Sequence, residues 1–324
     1  VIYKMLVTST LQGTTLKIPL SIGHYEIQKL ISRGSSSVIV QANLIKSCSK
    51  VNCPSNHKNY KLQKHLKTSF ALKIMSRSDI LERGLLPHVE KERSVLINLD
   101  HPNIVKLYDS FDFGDLIVFV MEHCDCDLFD YKDQLIEKFS NNNMEISHQK
   151  QLILKGVFDA IHYLHQKGIS HGDLKLENIF IKVIKNSKKK AKNSFFENHN
   201  NITIVPKLGD FGYVRTSLIA GDDDKRGTEY YAAPELFHKG TFDTLKTDIW
   251  SLGICMSALY ANVFPFCGDR KQIKEQIKKA NLTFSNDMSP YQQNIIRLCT
   301  AKNPEDRPSI SELKAIVFGF GNSN

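Results

Sequence analysis

His171-Gly172-Asp173-Leu174-Lys175-Leu176-Glu177-Asn178, followed in the chain by Asp210-Phe211-Gly212, are the stretches that decide how this 324-residue sequence is read. The first places a carboxylate, an amine and a carboxamide within six residues. The second sets another carboxylate ahead of a buried-type aromatic and a glycine that lets the backbone turn. Either stretch alone reads as a capped loop. Together, in this order, they supply a proton acceptor, a cation and two oxygen ligands for a hard metal.

Outward from them, the sequence divides by periodicity. On the N-terminal side, Tyr25 to Ile31, Val38 to Leu44, Phe70 to Met75, Ile104 to Tyr108 and Leu116 to Met121 read as strands. Val89, Glu92, Val95, Leu96 and Leu99 recur at helical spacing, and Asp100-His101-Pro102 ends that helix. From Asp127 onward helices dominate. Gln151 to Lys167 carries apolar residues at Ile153, Val157, Ile161 and Leu164 and stops at Gly168. Asp248 to Tyr260 is almost wholly apolar and therefore central. Ile179 to Ile184 and Ile202 to Leu208 form a hairpin. The expected class is α+β, a small β-rich lobe followed by a larger helical lobe with a cleft between them.

Phosphoryl transfer asks little covalent chemistry of a protein. The phosphates must be held, their charge neutralised and the acceptor hydroxyl aimed. In the decisive loop, Asp173 suits the hydroxyl's proton, Lys175 the γ-phosphate, and Asn178 with Asp210 a metal. Upstream, the turn Ser32 to Ser37 with Gly34 could cover phosphates, although taken alone a plain hairpin explains it better. Lys73 stands inside the apolar strand Phe70-Ala71-Leu72-Lys73, where a lysine needs a partner, and Glu92 on the next helix can provide one.

This set resembles the eukaryotic protein kinase family, over about Tyr25 to Ile316. Gly227-Thr228-Glu229-Tyr230-Tyr231-Ala232-Ala233-Pro234-Glu235, Asp248-Ile249-Trp250-Ser251-Leu252-Gly253 and Arg307 extend the match. The resemblance implies a bilobal kinase fold and ATP with Mg²⁺ as cofactors. It makes Asp173, Lys175, Asn178, Lys73, Glu92 and Thr228 catalytic and Asn178 and Asp210 metal ligands. It assigns nucleotide contacts to Ile31, Gly34, Ile39, Ala71, Lys73, Met121, Glu122, Cys124, Asp127, Phe180 and Asp210. It also pairs Glu235 with Arg307 and makes Asp248 a brace for the catalytic loop. Lys175 with Thr228 points to serine/threonine specificity, and the general look is closest to calmodulin-dependent-like kinases. Asp127 and Glu177 sit where such enzymes receive a basic residue upstream of the acceptor. A catalytically silent pseudokinase scaffold is the alternative.

Departures carry information of their own. Serines stand where two loop glycines are usual, and Gly172 replaces the arginine that usually precedes the catalytic Asp. That arginine normally receives a phosphothreonine of the activation segment. Without it, the segment needs no phosphate, and Asp222-Asp223-Asp224 offers fixed carboxylates for a nearby Lys or Arg. Thr216 and Ser217 lie too early for the usual phosphosite.

The resulting division is an N-terminal extension (1–24) and a kinase domain (25–318). The domain comprises an N-lobe (25–122), a hinge (123–126) and a C-lobe (127–318), with basic insertions at 46–69 and 185–201. The formal charge of +9 resides in two segments: Lys46 to Ser69 carries +6 and Lys182 to Pro206 carries +5, leaving −2 for the rest. Apart from Tyr60 and Phe195-Phe196 no aromatics accompany these lysines, so the segments read as solvated loops and not as a nucleic-acid surface. No apolar stretch is long enough to span a membrane, and no secretory leader is evident. Seven cysteines without a paired spacing point to a reducing compartment. The expectation is a monomer acting on protein substrates in the cytoplasm, with Lys188-Lys189-Lys190-Ala191-Lys192 as a candidate nuclear address.

Overall fold

The computed structural model describes residues 5–11, 14–45, 69–139, 142–185 and 202–319. Most of both basic segments, including the candidate nuclear address, lies outside these residues. The chain forms two compact units: Val1–Leu99 with Val105–His123, and Asp100–Ile104 with Cys124–Asn324.

In the first unit, β1 (Met5–Leu11) and β2 (Thr14–Pro19) form an antiparallel hairpin. The main sheet comprises β3 (Ser21–Ile22), β4 (Tyr25–Arg33), β5 (Val38–Leu44), β6 (Ser69–Ser76), β7 (Leu107–Phe113) and β8 (Leu116–Glu122), ordered β3-β4-β5-β6-β8-β7. Two helices accompany it, α1 (Arg77–Glu82) and α2 (Leu86–Ile97). Period-two alternation sorts the sheet's side chains. Val38, Val40, Ala42, Leu72, Ile74, Val118 and Val120 are buried in one core cluster. Residues alternating with them along the strands (Ile39, Ala71, Lys73 and Met121) therefore point to the opposite face. Register fixes their neighbours: Ile39 pairs with Lys73, and Ala71 with Met121.

The sheet begins earlier than the expected Tyr25. Ile18 and Ile22 are fully buried in the same cluster, and Ser21–Ile22 pairs with Tyr25 and Glu26. The interleaved Pro19, Ser21 and Gly23 hide this pattern, and Gly23 takes a left-handed turn (φ +57°). The edge strand β7 starts three residues beyond the expected Ile104, which makes only an isolated bridge to Leu208.

The second unit has a small sheet, ordered β11-β10-β9, from β9 (Cys126–Asp127), β10 (Ile179–Lys185) and β11 (Ile202–Leu208). A further short pair joins β12 (Ile219–Ala220) to β13 (Phe242–Asp243). Its helices are α3 (Leu128–Lys138), α4 (Asn143–Gln166), α5 (Thr244–Ala261), α6 (Arg270–Lys279), α7 (Pro290–Cys299) and α8 (Ile310–Phe318). Helix α4 starts eight residues before the expected Gln151, because its first two turns are polar and lack the apolar stripe. Asn142 caps it by accepting from the Glu145 N–H. Helix α5 is buried nearly all round, from Ile249 and Trp250 to Leu259. A β-carbon on its Gly253 would lie 2.6 Å from Cys299 Cβ, so glycine sets how closely α7 can approach.

Candidate active site

The decisive loop leaves α4 through a turn at Gly168 and pairs Ser170 with Arg215 by two backbone hydrogen bonds of 2.9 and 3.0 Å. Its next residues are fixed from below. Asp248, near the start of α5, accepts from the His171 N–H at 2.8 Å and the Gly172 N–H at 3.0 Å, and lies 3.0 Å from His165 Nε2. The expected brace is therefore present. Burial would raise this carboxyl, but the hydrogen bond and charge of His165, with His171 and the Gly172 amide, hold it below the usual carboxylate range.

Above this brace, Asp173 is gripped by four donors. The Thr228 backbone N–H and Oγ1 reach Oδ1 at 2.9 and 2.8 Å. Lys175 Nζ lies 2.8 Å from Oδ2, and Asn178 Nδ2 donates to the same oxygen at 3.0 Å. Lys175 also donates to Thr228 Oγ1 at 2.9 Å, closing the ring of residues. Burial alone would lower the Lys175 ammonium. Its bond to Asp173 and the charges of Asp173, Glu177 and Asp210 outweigh that, so its pKa is raised.

Asp210 follows on a left-handed backbone (φ +58°), uncommon for a residue with a side chain. Its segment is tied to the loop by Gly209, whose N–H donates to Asn178 O and whose carbonyl lies 2.9 Å from His171 Nε2. The Phe211 ring packs edge-on against His171, with centroids 5.0 Å apart. Asn178 spends Nδ2 on the Asp173 carbonyl and carboxylate, which turns its amide oxygen the other way. That oxygen and the exposed Asp210 carboxylate are the hard donors that a magnesium ion accepts, usually from only one or two protein groups.

Other expected nucleotide contacts are distributed between the units. In the first, Lys73 Nζ donates to both Glu92 oxygens, at 2.7 and 2.9 Å, with side chains 11% and 4% exposed. Ile39, Ala71 and Met121 share the lysine's face of the sheet. Gly34 opens the turn after β4 by donating to Ser37 O at 2.8 Å, and Ile31 is exposed. The Glu122 N–H donates to Lys106 O at 2.8 Å. In the second unit, Asp127 caps α3 through the Asp130 N–H and pairs across the sheet with Phe180, and Cys124 is half-buried.

Three supporting residues carried no catalytic signal in the sequence. The Tyr231 hydroxyl donates to Glu177 at 3.1 Å and accepts from the Leu176 N–H. His165 meets Asp248, and Arg215 occupies the space beside Gly172. Further along, the buried Arg307 guanidinium forks onto Glu235 at 2.6 and 2.8 Å, as expected.

The family model for the protein kinase domain matches residues 58–318. The chain belongs to that family. Two curated kinases are similar to it. One is a CBL-interacting serine/threonine-protein kinase 15 of Arabidopsis thaliana, 28% identical over 262 residues, covering 77% of this chain and 55% of the relative. The other is an Aurora kinase of Candida glabrata, 29% identical over 258 residues, covering 78% of this chain and 64% of the relative. The chain thus spans less than two thirds of either relative's length. The kinase-domain match begins after the Gly34 turn. Among the described residues, no helix is long and apolar enough to cross a membrane.

Proposed function

We propose that this chain transfers the γ-phosphate of ATP to serine or threonine hydroxyls of protein substrates. The observation that carries the reading is the closed ring of Asp173, Lys175 and Thr228, completed by Asn178. It aims one carboxylate oxygen pair while keeping a cation within hydrogen-bond distance. Such preorganised positioning is the main thing a protein contributes to phosphoryl transfer.

In this reading Asp173 accepts the hydroxyl's proton as the oxygen attacks the γ-phosphorus and the bond to the ADP oxygen breaks. Lys175 lies against the charge that develops on the transferred group, and Thr228 keeps both in register. Lys73, oriented by Glu92, pairs with the phosphates, while Ile39, Ala71 and Met121 offer an apolar face to adenine. Asn178 and Asp210 would hold Mg²⁺, which neutralises phosphate charge when bound. The full complement of Lys73, Glu92, Asp173, Asn178 and Asp210 disfavours the pseudokinase alternative.

Substrate preference is the finer part of the proposal. Glu177 belongs to the loop, and Asp127 feels both Glu177 and Asp130. Burial, then the charges of Asp130 and Glu177, raise the Asp127 carboxyl despite its capping bonds. A guanidinium from a substrate would relieve that repulsion. A positional-scanning peptide library with the purified chain and radiolabelled ATP tests the whole reading. Label on Ser/Thr peptides, strongest with upstream Arg, is expected; label on tyrosine alone, or none, contradicts it.

A further inference from the structure

Gly172 has a left-handed backbone (φ +80°), and a β-carbon there would lie 2.3 Å from Tyr213 O and 2.5 Å from Arg215 Nη1. The side chain that position lacks is thus replaced in space by a guanidinium arriving from elsewhere in the chain. Arg215 is 1% exposed, and burying a cation is costly unless its donors are met. The hydrogen bonds of Nε and Nη2 all go to one short stretch. Nε donates to Asp224 Oδ2 at 3.2 Å, and Nη2 to the carbonyls of Asp224 at 2.6 Å and Arg226 at 3.2 Å. Arg226 grips the other carboxylate oxygen, with Nε 3.1 Å from Asp224 Oδ1, and lies over the Tyr213 ring. The Arg215 guanidinium in turn covers the Phe242 ring at 5.5 Å.

What this stretch leads to gives the arrangement a purpose. Arg226 is followed by Gly227, where a β-carbon would sit 3.2 Å from the Gly172 carbonyl, and then by Thr228, which holds Asp173. One carboxylate between two guanidiniums therefore anchors the chain immediately before the residue that aims the proton acceptor.

We infer that Arg215 is a positioning residue for catalysis and that Asp224 is its built-in anionic partner, so that this segment is ordered without a phosphate. The inference rests on the phosphotransfer reading and adds the residue that acts as receptor. Arg215 touches neither substrate nor Asp173. It acts through the backbone of 224–228.

The test measures kcat, KM for peptide, melting temperature and hydrogen exchange across 216–230. It compares wild type, Asp224→Asn, Asp224→Glu, Arg215→Lys, Arg215→Ala and the Arg215→Ala/Asp224→Asn double variant. Wild type is assayed after phosphatase treatment, with its phosphate content checked by mass spectrometry. Expected results are retained activity in the dephosphorylated wild type and about a tenfold drop in kcat for Asp224→Asn, which still unfolds in one cooperative transition at a somewhat lower melting temperature. Faster exchange should be confined to the segment, with partial rescue by Asp224→Glu. The double variant should be no worse than the poorer single one, because the two residues act as one unit. Asp224→Asn is the decisive variant if Arg215→Ala does not fold. Unchanged kcat and exchange in Asp224→Asn, additive single effects, or a wild type inactive until phosphorylated would overturn the inference. A chain without any phosphotransfer would instead sink the functional reading, and the exchange data would still judge the Arg215–Asp224 anchor.

Discussion

Thr228 donates twice to one oxygen of Asp173, through its backbone N–H at 2.9 Å and its hydroxyl at 2.8 Å. The hydroxyl also receives Lys175, so its removal loosens two groups at once. Thr228→Val keeps the side-chain shape and the backbone bond but loses the hydroxyl. It should lower kcat by roughly 10- to 100-fold, the usual penalty for sub-ångström misplacement of reacting groups. KM for ATP should stay near wild type, and Thr228→Ser should restore most of the rate. A Val variant at full kcat would remove Thr228 from the mechanism.

Lys73 and Glu92 form a pair that is almost fully out of solvent. Lys73→Met takes both of these bonds from a carboxylate 4% exposed, and such a loss costs about 3 kcal/mol of stability. Turnover should fall nearly to background while chemical denaturation still gives one cooperative transition at lower denaturant. Glu92→Gln should lose less stability than Lys73→Met but show a raised KM for ATP. Normal ATP affinity in both variants would contradict the assignment.

The acidic surroundings of Asp127 give a peptide test. Arg three residues upstream of the acceptor should raise kcat/KM over Ala at the same place. Glu177→Gln should shrink that ratio without altering turnover of the Ala peptide more than a fewfold. Equal rates on the two peptides in the wild type would remove the basic preference.

His101 gives the pH dependence of stability a definite sign. Burial lowers its pKa from 6.5, with Asp159 opposing, and its Nδ1 accepts from the Asn103 N–H, which requires the neutral ring. The unfolded chain therefore binds this proton more readily than the folded one. The contribution is complete above about pH 6.5 and is lost as pH falls through the lowered folded value. His162 is shifted the same way by burial, so it adds to the loss. Urea titrations at pH 7.5 and 5.5 should give a smaller difference for His101→Gln than for wild type. An identical difference would exclude His101 as a source.

The sequence was most legible where chemistry and periodicity coincide. Asp173, Lys175 and Asn178 share one short loop, and Asp248 to Tyr260 is almost wholly apolar, so local pattern alone foretold that the three side chains meet and that α5 is buried. The first two turns of α4 were hidden because polar residues there carry no stripe. Ile18 and Ile22 were hidden because proline, serine and glycine break their alternation. Arg215 was invisible for a different reason. Its significance depends on the space that Gly172 leaves and on Asp224 folding back to it, contacts that no local spacing encodes. Gly172 itself was legible as a gap; what fills the gap had to be seen in three dimensions.

The proposed role of Asp173 is to take the proton of the acceptor hydroxyl during phosphotransfer. The most direct test is single-turnover transfer of labelled γ-phosphate to a serine peptide by wild type and Asp173→Asn, with ATP binding measured in parallel. We expect the variant to bind ATP normally, melt within a few degrees of wild type and transfer phosphate at least 100-fold more slowly. Transfer at the wild-type rate by folded Asp173→Asn would contradict the account.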